Sequence, residues 1–327
     1  MINEGRMRPI VTVGIPTFNR PAQLAEAIAS VAAQSYIAWR LVVSDNANLP
    51  ENARIVESFT DERMTYVGQP NDLGPVGNFN YLLSACQTPF CAILHDDDLY
   101  ESDYLERMIE AMACLGQADW AFCDAVWGDP GERSEATSCV AGSTVLIDSG
   151  DEFCLQVLSG AVRIPCPTVM FRMETVGKER FDPKHPAACD LDLWLRLARR
   201  YPAAYVPAAM VRYRVWDGSD SMSPATLGQI IVDTIGIKDD TLCHPLPTPL
   251  RHATEAQFAL RVRRSCRNLL MSSRLADGAQ AFPAVRRALA RQPGAIPRLT
   301  RTLLSHPVLI RMMLLLQPVL RVMNRRP

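Results

Sequence analysis

Phe90-Cys91-Ala92-Ile93-Leu94 is an unbroken apolar run, and three carboxylates, Asp96, Asp97 and Asp98, follow it almost at once. A short apolar run of this kind reads as a strand buried on both faces, so it delivers stacked negative charge to its carboxyl end. Like charges a few ångströms apart raise one another's pKa or need a cation among them, and aligned hard oxygens suit Mg2+ or Mn2+ better than Zn2+. Taken alone, the tripeptide is equally well read as a solvated acidic turn before a helix, because Asp is common in caps and first turns.

Outward from that run, strands and helices alternate. Ile10 to Pro16 reads as a buried strand, and Pro21 opens a helix whose Leu24, Ala27, Ile28 and Val31 recur at helical spacing. Leu41 to Asp45 is a second strand, followed by a helix from Pro50 to Phe59, a strand over Met64 to Val67, and a helix from about Val76 to Cys86. Such alternation predicts an α/β fold, a doubly wound and mostly parallel sheet with helices on both faces. Ligands on these sheets bind outside the carboxyl ends of the strands, where Thr17 to Arg20, Asp45 to Asn48 and Asp96 to Asp98 fall.

In order and spacing, Thr12-Val13-Gly14-Ile15-Pro16-Thr17-Phe18-Asn19-Arg20, Ser44-Asp45-Asn46, Asn71-x-x-Gly74-x-x-x-Asn78 and the aspartates resemble the nucleotide-sugar half of a family 2 glycosyltransferase with the GT-A fold. Gly177 to Asp182, Asp190 to Leu197 and Tyr213-Arg214 are similar to its acceptor half. The resemblance implies a catalytic domain over 1–222, with the nucleotide-sugar half at about 9–125 and the acceptor half at about 126–222, and a basic helical region over 223–327. It implies an inverting, metal-dependent transferase that moves a sugar from a UDP- or dTDP-sugar to a hydroxyl of a saccharide or lipid-linked glycan, with Mg2+ or Mn2+ as cofactor. On this reading Asp96 contacts the donor ribose, Asp98 and Asp96 form the metal seat, and Asp97 is a second contributor. Asp45 accepts a hydrogen bond from the pyrimidine, Pro16, Thr17, Asn19 and Arg20 line the base and phosphate pocket, and Asn78 faces the donor. Structural alternatives stand beside these roles. Thr17 and Asn19 suit a turn and a helix cap, Asp45-Asn46 suits a turn, and Asn71 to Asn78 suits a surface loop.

An acceptor hydroxyl has a pKa far above neutral, so a carboxylate must take its proton as it attacks. Asp190 is the candidate. Leu193, Trp194, Leu197 and Ala198 stand three, four, seven and eight residues after it, which aligns it with a buried stripe, whereas Asp192 lies opposite and four residues before Arg196. A helix cap is the alternative for Asp190. A base on the acceptor side, with no second carboxylate needed as nucleophile, means direct displacement with inversion, a stereochemistry that the resemblance chiefly implies. Two departures from the family pattern stand out: Cys189 where Glu is common, and Trp216, which cannot ligate a metal, near the place of a common His. Asp217 or an extra water is the expected replacement there. Arg214 is read as a diphosphate contact or, more simply, as a solvated strand end. Trp120, Trp127 and Trp194 offer sugar-stacking faces or ordinary core packing.

Among 327 residues the formal net charge is -1, but it is unevenly spread. Residues 251–327 hold fifteen arginines, no lysine and two acids, Glu255 and Asp277, leaving 19 basic and 33 acidic residues in 1–250. That shift marks a boundary near Pro245 to Arg251. Ten cysteines without framework spacing read as reduced thiols and point to a cytoplasmic protein. The amino terminus shows no secretion signal. A helix opening at Pro307 is broken at Pro318 and interrupted by Arg311, too short to span a bilayer. Its partner is an anionic membrane on the inner face, the catalytic domain, or a second subunit in a homo-oligomer. Nucleic acid is not expected, because aromatic interleaving is missing. Two rival functions remain: a sugar-phosphate nucleotidyltransferase, which would need a Gly-rich phosphate loop after the first strand, and a non-catalytic nucleotide-sugar-binding scaffold.

Overall fold

The computed structural model describes residues 10–128, 135–136, 142–215, 223–243, 248–271 and 282–290. Strand β1 (Val11–Thr17) turns into α1 (Pro21–Ala32), and β2 (Trp39–Asp45), α2 (Pro50–Ser58), β3 (Met64–Gly68), α3 (Gly74–Ala85) and β4 (Phe90–Ile93) repeat the unit. Helices α1, α2 and α3 all carry proline in their first turn, Pro21, Pro50 and Pro75, where the missing N–H is an orphan anyway and φ is already helical. Then come β5 (Leu99–Tyr100), α4 (Tyr104–Cys114), β6 (Trp120–Trp127), β7 (Glu135–Ala136), β8 (Val145–Ile147), α5 (Asp151–Ser159), β9 (Val169–Arg172), α6 (Met173–Val176), α7 (Cys189–Arg200) and β10 (Ala203–Tyr213). Three helices follow: α8 (Pro224–Thr241), α9 (Thr248–Met271) and α10 (Phe282–Ala290).

The sheet runs β3-β2-β1-β4-β9-β6-β10-β5. Its first four strands are parallel, as the alternation predicts, and β6 pairs parallel with β10. The remainder departs from that expectation. Strand β9 runs antiparallel between β4 and β6, and β5, β7 and β8 also pair antiparallel, so the whole is a mixed α/β sheet.

The described residues gather into two compact units. The first runs through residue 154 and includes 163–183 and 196–215; the second holds 155–162, 184–195 and residues from 216 onward. A boundary at 222 does not coincide with this grouping, since two segments of the expected acceptor half join the carboxyl-terminal helices. In the first unit Val11, Val13 and Ile15 of β1 pack with Leu24, Ile28 and Val31 of α1 and with Leu41 and Val43 of β2. Each such side chain contributes about 1.5–3 kcal/mol when fully buried. In the second unit α8 packs on α9 and α10, burying Ile231, Ile235, Phe258, Val262, Val285 and Leu289. Among the described residues the cysteines are free thiols, and no helix is long and apolar enough to cross a membrane. Pro245, Pro247, Trp216, Asp217 and the run opening at Pro307 lie outside the described residues.

Gly74 opens α3 at φ +65, and its carbonyl accepts from Asn46 Nδ2 at 3.1 Å, fastening the start of α3 to the end of β2. Only glycine enters that left-handed region without penalty. Gly74→Ala should therefore lower the unfolding free energy by about 1–2 kcal/mol, seen in urea titration as a lower midpoint with an unchanged slope.

Candidate active site and metal cluster

Strands β1 and β4 are parallel neighbours, with Gly14 opposite Ile93, so the turn after β1 and the aspartates after β4 emerge at the same sheet edge. Thr17 Oγ1 donates to Asp96 Oδ2 at 2.8 Å, and the Phe18 amide approaches the same oxygen at 3.4 Å. Arg20 Nη1 donates to Asp96 Oδ1 at 3.1 Å and to Asp97 Oδ2 at 3.2 Å. Asn19 makes this turn at φ 56, a conformation Asn tolerates. The residue flanking α1 is Arg20, with no side-chain cap, so Thr17 serves Asp96 and not the helix end.

All three aspartates are buried, which disposes of the solvated acidic turn. Burial pushes the Asp96 carboxyl up to about 6, against the opposing pull of Arg20 and Thr17. Asp98 is also raised by burial, with His95 opposing. Asp98 Oδ1 accepts the Arg214 backbone amide at 2.8 Å, and Asp98 Oδ2 lies 3.1 Å from His95 Nδ1. Arg214 itself is buried, not solvated, and its guanidinium pairs with Glu26 of α1.

His95 stands between Phe79 and Tyr213, with ring centroids 5.8 and 6.1 Å away, and its Nε2 is buried. Burial disfavours charge on this imidazole, but Asp98 and Cys166 override it and raise the ring well above the ordinary histidine range. One ligand atom each from His95, Asp97 and Asp98 lies within 4.8 Å of the others, a donor set able to hold a metal ion. Sequence reasoning passed over His95. It was legible as the residue three before Asp98, at the mouth of the same strand. Asp96, expected beside Asp98 as a ligand, is outside that trio, and its oxygens face Thr17 and Arg20 instead.

Asp45 is fully buried. Its Oδ2 accepts from Leu49 N (2.8 Å), Asn52 Nδ2 (3.0 Å) and Tyr66 Oη (2.9 Å), and its Oδ1 from Ala47 N (2.9 Å). Burial, then Asp45, raises the Tyr66 hydroxyl. This carboxylate organises the turn into α2, and Oδ1, with one hydrogen bond, keeps acceptor capacity. Pro16 pairs with Ser44 of β2. Asn78 is the fifth residue of α3; its Nδ2 donates to Ser44 O at 3.0 Å, while its buried Oδ1 finds no hydrogen-bond partner among the described residues. Trp120 and Trp194 are core residues, and Trp127 packs on Tyr213 at 4.3 Å.

Asp190 is the second residue of α7, within the first turn and not in the flanking cap position; it is partly exposed. Leu193, Trp194, Leu197 and Ala198 are buried, as their spacing predicts.

The model of the family described as Glycosyl transferase family 2 matches residues 12–129. TuaG of Bacillus subtilis (strain 168), named as a teichuronic acid biosynthesis glycosyltransferase, is 26% identical over 227 residues, covering 65% of this chain and 82% of that protein. WfgD of Escherichia coli, named UDP-Glc:alpha-D-GlcNAc-diphosphoundecaprenol beta-1,3-glucosyltransferase, is 28% identical over 103 residues, 32% of this chain and 41% of that protein. Among solved structures, S. aureus TarS 1-349 in complex with UDP superposes with a TM-score of 0.61 at 16% identity, covering 93% of this chain and 87% of that one. The mannosyltransferase PcManGT of Pyrobaculum calidifontis, in complex with GDP-Man and Mn2+, gives 0.55 at 16% identity, covering 95% and 87%. At such identity the structures establish the fold. Residues 12–129 of this chain thus resemble family 2 of the glycosyl transferases, and its fold is the one these glycosyltransferase structures share.

Proposed function

We propose that the chain transfers a sugar from a UDP- or dTDP-sugar to a hydroxyl of a saccharide or lipid-linked glycan, with inversion at the anomeric carbon and with Mg2+ or Mn2+ at the aspartates. The carrying observation is the trio of half-buried His95 with buried Asp97 and Asp98, beside Asp96, Thr17 and Arg20 at the ends of β4 and β1. The donor set fits a divalent ion: hard carboxylate oxygens and one imidazole nitrogen, within 4.8 Å of one another. When bound, such an ion meets the negative charge that develops on a departing diphosphate. His95, Asp97 and Asp98 would hold it.

The remaining roles belong to the chain's own groups. Arg20 balances Asp96 and Asp97, leaving Asp96 ionised near neutral pH to accept from the donor ribose. Asp45 Oδ1 has acceptor capacity for a pyrimidine N–H, and Pro16, Thr17, Asn19 and Asn78 stand around the same strand ends. Asp190 would take the acceptor's proton at a carboxylate oxygen as the hydroxyl oxygen bonds to the anomeric carbon and the bond to the diphosphate oxygen breaks. One displacement inverts the centre. The UDP-sugar and the lipid diphosphate in WfgD's name support this donor and acceptor class. A lipid-linked acceptor would bring the chain to the inner face of a membrane, where its arginine-rich end would favour anionic headgroups.

Two experiments test this reading. A screen of nucleotide sugars for Mn2+-dependent hydrolysis, followed by calorimetric donor binding with and without EDTA, should give binding that chelation removes and that Asp98→Ala abolishes. Asp190→Asn should spare that binding yet lower transfer by about 10²–10⁴-fold, and normal turnover in this variant would refute the base assignment.

Asp96 also carries a stability signature. Its folded pKa of about 6 lies above the unfolded value of about 3.9, so the folded state binds the extra proton between the two. A raised acid costs nothing below the lower value and its full penalty above the higher one, so this group makes the metal-free protein lose stability as pH rises from about 4 to about 6. Asp96→Asn should remove that component, on the order of 2–3 kcal/mol, from the difference between urea melts at the two pH extremes.

A further inference from the structure

Helix α8 carries Gln229, Asp233, Gly236 and Asp240 at spacings of four, three and four, a single stripe along its surface. The stripe holds Lys184 to Ala187, the segment just before α7. Asp233, only 3% exposed, accepts the Ala187 amide on Oδ2 at 2.8 Å and Gln229 Nε2 on Oδ1 at 2.6 Å. Gly236 lets His185 lie against the helix, for a Cβ there would fall 2.9 Å from His185 Cε1. Asp240 pairs with Lys184 and lies 3.5 Å from His185 Nε2. From this anchored segment Ala188 N bonds His185 O at 3.1 Å, and Asp192 N bonds Ala188 O at 3.2 Å. The chain of bonds thus leads from Asp233 into the turn that bears Asp190.

The members of this stripe differ in weight. Lys184 and Asp240 are both more than half exposed, and pairs of that kind contribute about 0–1 kcal/mol. Asp233 is a buried carboxylate, costly to place there unless its oxygens are bonded, and its bond to the Ala187 amide reaches backbone outside its own helix. Arg261 of α9 donates through Nη1 to Val157 O and Leu158 O, both at 3.0 Å; burial lowers the pKa of that guanidinium, and the Asp190 charge opposes the shift in part.

We infer that Asp233 is a positioning residue for Asp190, so that the helices after residue 223 set the acceptor side of the reaction instead of forming a separate appendage. The inference rests on the reading of Asp190 as the base. Its test pairs hydrogen exchange at the amides of 187–192 with kinetics on UDP-glucose and a short-chain lipid diphosphate GlcNAc, using the full chain. Asp233→Ala should speed that exchange about tenfold and lower kcat by up to about a hundredfold, while calorimetric UDP binding stays at the wild-type value. Asp233→Asn should restore both, because its carbonyl still receives the Ala187 amide and Gln229 can reverse its own amide. Wild-type exchange and kcat in Asp233→Ala, with Asp190→Asn inactive, would overturn the positioning role. A fully active Asp190→Asn enzyme would instead remove the base assignment, and the exchange arm would still judge the hold of Asp233 on α7. If the wild type does not use this acceptor, that arm decides alone. Should Asp233→Ala not fold, Gly236→Ala, which displaces His185, must show the same split between exchange and UDP binding.

Discussion

Three neighbouring carboxylates buried at one strand end dominate the physics of this protein, because burial and mutual repulsion both work against their charge. Every element around them can be read as an answer to that problem. The turn after β1 brings Thr17 and Arg20 to Asp96, and Arg20 reaches Asp97 as well. The end of β10 brings the Arg214 amide to Asp98, and α1 holds the Arg214 side chain through Glu26. His95 supplies a nitrogen to Asp98 from the same strand that delivers the acids. Apolar residues in these places would make a more stable sheet edge. A cluster that opposes folding and is nonetheless surrounded by so many partners belongs to function, where a stability penalty is tolerated.

The amino-terminal part of the sheet was legible because its signals are local and repeated. Buried strands are unbroken apolar runs, each of the first three helices has a proline in its first turn, and Leu24, Ala27, Ile28 and Val31 reveal the inward face of α1. The second half of the sheet was less legible, since β5, β7 and β8 are two or three residues long and offer no periodicity. His95 was missed because a single residue separating an apolar run from an acidic one has no pattern of its own. Arg214 was misjudged for a related reason: whether an arginine at a strand end meets water depends on what covers it, here Glu26 from a helix almost two hundred residues earlier.

Asp45 shows how a buried polar residue can serve the fold and still keep acceptor capacity. Four donors converge on it and shape the turn that begins α2. Such a group is held rigidly, and rigid acceptors discriminate between ligands better than mobile ones, because little ordering entropy is lost on binding. Asn78 is similar, with its amide nitrogen fixed to Ser44 and its oxygen left over.

The basic carboxyl-terminal stretch invites a purely electrostatic reading, yet its arginines are not equivalent. Arg261 points its guanidinium at the last carbonyls of α5, where helix ends leave acceptors unsatisfied and the dipole favours a cation. Arg251 meets Glu255 one turn along its own helix, while Arg263 and Arg264 are exposed. Some of the charge excess is therefore structural, built into helix ends and pairs, and only the remainder is available for an anionic surface. Net charge sets how a chain meets its surroundings and not how it folds, but here the fold has already claimed part of it.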